Sequence, residues 1–274
     1  MKKNKLIYLF FGILVLVLCL LCLSYLFYSY SDKNDNEKYK EEKEEKEENK
    51  ENKGVRFLLF LNKKELAEKL ENNVSFYNRL NDYDLKARRV ESVQEYVSGI
   101  KNSVKEFTPL QQERIKKCIH MIEMNKEKVQ SVLIKEPWIF GCIQGNFYED
   151  GLPHTVDDVI LLPCEVIDRI DDKRLMGLIL HEKVHVCQRK YPDWVEEYLT
   201  KNNIKKRREK VHEDRRRANP DIDGWIYEKN GDIYRGAVYR SNVPFSITDV
   251  DLYENDQKNE HPFEEMAIEF SSII

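Results

Sequence analysis

Apolar residues are distributed along this chain in three unlike ways. The run bounded by Leu6 and Tyr28 is apolar on every side and carries no charge. As a helix at about 1.5 Å per residue it reaches roughly 34 Å, enough for a hydrocarbon core of about 30 Å. A cleaved signal peptide usually has an apolar region of only about 7–15 residues that ends at small side chains. Here the run ends in Tyr25-Leu26-Phe27-Tyr28-Ser29-Tyr30, aromatics of the kind that settle at a membrane interface. Residues 1–30 are therefore expected to form an uncleaved, single-pass membrane anchor. Residues 31–54 are almost wholly Glu, Lys, Asn and Asp, cannot build a core, and read as a solvated stalk. From residue 55 apolar positions recur with helical and strand periods, and 55–274 is expected to be one folded domain.

Within that domain Asn62-Lys63-Lys64-Glu65 reads as a capping box ahead of a helix bearing Leu66 and Leu70. A further helix is expected over 85–100. Thr108-Pro109-Leu110-Gln111 opens another, with Ile115, Ile119, Ile122 and Val129 at helical spacing. Apolar runs over 138–143 and 156–162, bounded by Gly and Pro, read as strands. A largely apolar helix follows over 175–189. Residues 205–217 are densely basic and read as a solvated helix face or loop. Two short strands, 225–229 and 232–234, flank Asn230-Gly231, a strong hairpin signal. Pro262 suits the first turn of a closing helix. The succession describes an α+β domain, mostly helical, with a small sheet bordering helix 175–189.

Composition narrows the partners. The chain has 274 residues, 34% of them charged, yet a net charge of only -4. No nucleic-acid partner is expected on that balance. Lys2, Lys3 and Lys5 precede the anchor and Lys33, Lys38, Lys40 and Lys43 follow it, so the charge bias across the span nearly cancels. The lean is to a domain on the non-cytoplasmic side. Cys118, Cys142, Cys164 and Cys187 lie in the domain without any C-x-x-C pair, and their disulfide state stays open.

The chemistry concentrates in His181-Glu182-Lys183-Val184-His185. On a helix, positions i and i+4 lie one above the other, so the two imidazoles can face one metal ion. Glu182, beside the first of them, can reach a water there without binding the metal. This is the H-E-x-x-H arrangement of zinc hydrolases. The flanking Leu178, Ile179, Leu180, Val184 and Val186 are apolar, and polar groups in such a helix need a shared partner. The extended form H-E-x-x-H-x-x-G-x-x-H is excluded, because Gln188 and Tyr191 stand at its glycine and third histidine. A carboxylate from a later helix is the remaining common third ligand.

The closing segment Pro262-Phe263-Glu264-Glu265-Met266-Ala267 contains Pro-x-Glu-x-x-Ala, which resembles the third-ligand helix of gluzincin-like zinc metallopeptidases. Together with 152–163, 181–192 and 217–221, it is similar to uncharacterised metallopeptidase-like proteins of large DNA viruses. The resemblance implies a zincin-like fold, one zinc per chain, and a host or virion membrane. It also implies that Glu264 is the third ligand beside His181 and His185. Glu265 remains the rival, since one residue turns the side chain by about 100°. Glu182 would serve as general base and then as proton donor in peptide-bond hydrolysis, at a metal that acidifies water and polarises the carbonyl. Tyr234, Tyr239, Tyr253 and His261 are the candidate donors to the developing oxyanion, and His154 is a candidate cleft residue. The competing function is a catalytically inactive, zinc-stabilised, membrane-tethered binding or scaffold protein.

Overall fold

A computed structural model describes residues 58–210, 215–234, 236–251 and 259–273. The expected anchor, the stalk and Tyr253 lie outside the described residues. Among those described, no helix is long and apolar enough to cross a membrane.

The chain opens with strand β1 (Leu58–Phe60) and helices α1 (Lys63–Glu71), α2 (Val74–Tyr77), α3 (Asp82–Ala87) and α4 (Val93–Ser103). Strand β2 (Val104–Lys105), helices α5 (Pro109–Met124) and α6 (Ser131–Lys135), and strands β3 (Trp138–Ile143), β4 (His154–Val156) and β5 (Val159–Pro163) follow. Helices α7 (Cys164–Arg169), α8 (Asp172–Lys190) and α9 (Pro192–Lys201) then lead to strands β6 (Ile204–Lys210), β7 (Trp225–Lys229), β8 (Asp232–Tyr234), β9 (Val238–Tyr239) and β10 (Val250–Asp251). Helix α10 (Pro262–Ser271) is the last.

The capping box forms as its residues imply: the Asn62 side chain accepts from Glu65 N–H, and Glu65 accepts from Asn62 N–H, both at 3.0 Å. Helix α5 likewise begins on a capping box, with Thr108 and Gln111. It stops at Met124, so Val129 packs from the following turn instead. The single helix expected over 85–100 is two helices. Arg89 adopts a left-handed backbone (φ 59°), and Ser92 caps a new start by accepting from Glu95 N–H at 3.1 Å. The strand expected over 156–162 is also divided. Asp157 turns with φ 52°, and the chain folds into the antiparallel β4–β5 hairpin.

The central sheet runs β1-β3-β5-β4, with β2 on the same edge of β3 as β1. Strands β1, β3 and β5 are parallel, and β4 is antiparallel to β5. Ile160 and Leu162 face one side with α5 and α8, whereas Val159 and Leu161 face the other with α1 and α4. Burial on both faces explains why β5 reads as an unbroken apolar run. Cys142 of β3 and Cys164 at the start of α7 form a disulfide. Beyond α9 the basic segment is not a helix face. Residues 204–210 form the edge strand β6 of a second sheet, β6-β7-β8, in which Lys206 lies 4.3 Å from the Trp225 ring centre. The β7–β8 turn has φ 55° at Asn230 and 95° at Gly231, the left-handed pair that such a hairpin needs.

Helix α8 crosses beneath the central sheet. Asp171 caps it by accepting from Arg174 N–H at 2.9 Å. Helix α10 packs along α8, held at its far end by Trp194 stacked on Phe270 and by a 3.0 Å bond from Tyr198 to Glu269. The cleft lies between α8, α10 and the edge strand β4.

Candidate metal centre and cleft

Helix α8 presents His181 and His185 one turn apart, their Nε2 atoms 3.2 Å from each other. Helix α10 brings Glu264 Oε2 to 3.3 Å from His181 Nε2 and 3.5 Å from His185 Nε2. Two nitrogens and a carboxylate oxygen thus converge on one point. For bonds of about 2.0–2.1 Å, as in zinc sites, the edges of a tetrahedron are about 3.3–3.4 Å. The three observed edges suit a small dication with an open fourth position. Charge agrees with geometry. Burial opposes a charge on His185, but the Glu264 and Asp221 carboxylates overcome it and push its pKa up to about 10. Burial would raise the Glu264 carboxyl, yet His185 and His181 hold it well below the usual range. The Glu264 carboxylate, with Asp221 nearby, therefore favours positive charge at the point where it meets His185.

The orientation of His185 is fixed from behind. With Gln188 Oε1 2.9 Å from its Nδ1, that nitrogen is a donor and Nε2 is the atom turned to the centre. Gln188 Nε2 donates in turn to Phe263 O at 2.9 Å, one residue before Glu264. On the other side Asn219 Nδ2 donates to Glu264 Oε1 at 3.1 Å, which turns Oε2 towards the histidines. Glu265 points away, accepting from Lys229 Nζ and Tyr234 OH at 2.5 Å each. The register of α10 thus selects Glu264 over Glu265 as the carboxylate facing α8.

Glu182 is 3% exposed, lines the cleft, and has a buried Oε2 with no hydrogen-bond partner. Burial raises its pKa well above the carboxylate range, and Asp221 and Glu264 add to the rise. A dication at the centre would replace that repulsion with attraction. His154, on β4, also lines the cleft. Its Nδ1 donates to Leu152 O at 2.9 Å, and its buried Nε2 is unpartnered.

Three candidate donors are placed elsewhere. Tyr234 is buried on Glu265, and Tyr239 donates to Asp84 Oδ1 at 2.9 Å inside the core. His261 is fully buried and caps α10: its Nδ1 accepts from Phe263 N–H and its Nε2 faces Asp223 Oδ1, both at 3.2 Å. All three hydroxyl or ring groups are spent on structure, so none is free to meet a substrate. In the sequence, residues 217–221 stand out only as part of a resemblance. In the fold they form a wall of the cleft, through Asn219 and Asp221. No spacing rule could have found those two, because their partners lie 45 and 66 positions away.

Comparison with known proteins adds no relative: no family model, no curated protein and no solved structure matches this chain.

Proposed function

We propose that this chain is a membrane-anchored, zinc-dependent metallopeptidase. The observation that carries the reading is the convergence of His181, His185 and Glu264, with edges of 3.2–3.5 Å, beside the buried and unpartnered carboxylate of Glu182. His181, His185 and Glu264 would hold the metal, and Asn219 and Gln188 would orient two of them. A zinc ion so held supplies Lewis acidity towards a carbonyl and acidifies water.

The remaining work falls to the chain. Glu182 takes a proton from the attacking water and passes it to the amine as the C–N bond breaks, so one water is consumed per peptide bond. Its isolation from other donors keeps Oε2 free for that transfer. With Nδ1 bonded to Leu152 O, His154 keeps an unpartnered Nε2 in the cleft for a polar group of the substrate.

The test is zinc content and peptide-library cleavage by the full-length chain and its Glu182→Gln variant. Expected are about one zinc per chain in both, and cleavage reduced by about 10²–10⁴-fold in the variant. Full activity in Glu182→Gln would refute the assigned base. Zinc retention without cleavage of any peptide by the unmodified chain would favour the tethered binding protein.

A further inference from the structure

We infer that the cleft is closed at one end by the turn Asn219-Pro220-Asp221, and that its substrates are peptides entering by a chain terminus rather than internal segments. The inference rests on the metallopeptidase reading and specifies its substrate class.

The turn bridges the two walls of the cleft. At one end Asn219 Nδ2 donates to Glu264 Oε1 on α10. At the other, Asp221 Oδ1 accepts from Thr155 N–H on β4 at 3.0 Å, and from the Thr155 hydroxyl as well. Asp221 N–H returns to Asn219 Oδ1 at 2.9 Å, which makes the crossing a tight turn. Its place along α8 is beyond His185: Arg189 Nη1 lies 3.7 Å from Asp221 Oδ1, and Arg189 also donates to the Thr155 hydroxyl.

The crossing is anchored. Arg79 donates to Ile222 O at 2.7 Å and to Asn219 O at 2.9 Å, and Ala218 N–H donates to the buried Asp84 at 3.0 Å. These bonds reach into the core from both sides of the turn, which is not how a loose lid is held.

Thr155 is where an extended substrate would be read. A peptide gains affinity by adding to a sheet edge through main-chain hydrogen bonds. Successive residues of a strand point their N–H groups to opposite sides. With Thr155 N–H turned outward, those of His154 and Val156 face β5. The one outward donor of this short strand is therefore already taken by Asp221. A substrate main chain laid along β4 has to end there. Exposure agrees, since the His185 side chain is 1% exposed and that of His181 is 23%. The mouth lies at the His181 end. The cavity is about 190 Å³, below the roughly 300–1,000 Å³ of pockets for drug-sized ligands, and suits a chain end.

The test uses the zinc-loaded, full-length chain and a series of phosphinic pseudopeptides, measured by calorimetry. The core compound carries one residue on each side of the phosphinate. Further members add two residues on the amino side only, on the carboxyl side only, or on both. Expected is that extension on one side is tolerated, while extension on the other weakens binding by about tenfold or more. The side that does not tolerate extension identifies which terminus enters. Asp221→Ala, which frees Thr155 N–H while Arg79 and Asp84 still hold the turn, should lessen the penalty on the doubly extended compound. Asp221→Asn, which keeps the acceptor for Thr155 N–H, should retain the discrimination of the unmodified chain. Equal binding of all extensions by the unmodified chain would overturn the closed end, as would unchanged discrimination in Asp221→Ala. Failure of even the core compound to bind would instead sink the metallopeptidase reading, and this inference with it.

Discussion

At the scale of single residues, the centre depends on which atom each side chain offers. Glu264 and Glu265 differ by one position and by everything they touch. Glu264→Gln should weaken zinc retention and cleavage together, whereas Glu265→Gln should lose only its contacts to Lys229 and Tyr234. Zinc content of the two variants decides it, and metal loss in Glu265→Gln alone would move the centre by one residue. Gln188 carries a sharper expectation. Gln188→Leu leaves His185 Nδ1–H and Phe263 O without their partner inside the protein. Zinc affinity should fall by about 10–100-fold, as is typical when the group behind a ligating histidine is lost. Gln188→Glu keeps an acceptor for His185 and should recover most of that affinity. Competition against a chromophoric chelator measures both, and unchanged affinity in Gln188→Leu would remove its positioning role. Local spacing made His181, Glu182 and His185 legible, because their relation is fixed by one helical turn. Pro-x-Glu-x-x-Ala pointed to Glu264 by resemblance. Tyr234, Tyr239 and His261 had the right chemistry, but sequence does not reveal where a hydroxyl or ring is spent.

At the scale of elements, the helix that delivers Glu264 hangs on its cap. His261 receives Phe263 N–H on Nδ1, which needs a lone pair there and so selects the neutral ring. Burial lowers its pKa below the ordinary value, against the pull of Asp223. Burial would raise Asp223, but bonding to His261 and charge attraction bring it to about 2. The backbone bond decides between these two tendencies near neutral pH, in favour of an uncharged His261. A lowered histidine pKa means that the unfolded chain binds a proton the folded chain refuses. The stability from His261 is thus full above about pH 6.5 and is lost as pH falls below it. The share from Asp223 is full above about pH 3.9 and is lost only towards pH 2. Between pH 6.5 and 5 His261 contributes at most about 1.4 kcal/mol per pH unit, opposed by His185 and Glu182, whose raised pKa values act in the other direction. His261→Asn, a good cap that does not titrate there, should flatten the slope. Urea midpoints of both chains after chelation at pH 5 and 7.5 test this, and equal pH dependence would exclude His261. The legible elements were those whose pattern agrees with their environment, such as β3, α5 and the Asn230-Gly231 hairpin. Strand β6 was hidden because its side chains at 205–207 are charged and exposed, so its pairing with β7 left no apolar alternation.

At the scale of the whole molecule, the disulfide bears on where the domain resides. Cys142 and Cys164 join β3 to the start of α7, and so brace the sheet against the segment leading into α8. The other two thiols in the domain, Cys118 and Cys187, are buried, and burial pushes each up to about 11. Thiols held that far above neutral pH are poor nucleophiles, so exchange with the Cys142–Cys164 bond is slow. Closing a loop of 22 positions stabilises a fold by about 3 kcal/mol in the chain-entropy view. Such bonds persist in oxidising compartments. Taken with the anchor expected before residue 31, this favours a domain held outside the cytoplasm, with Lys2, Lys3 and Lys5 on the cytoplasmic side. The full-length chain should stay with membranes through alkaline extraction. Alkylating the freshly isolated, denatured chain before and after reduction tests the facing. Cys118 and Cys187 should label in the first step, and Cys142 and Cys164 only after reductant. Reduction should also lower the urea midpoint, and a Cys142→Ala, Cys164→Ala double variant should share the lower value without responding to reductant. Labelling of Cys142 and Cys164 in the first step would place the domain in a reducing compartment and reverse the orientation of the anchor.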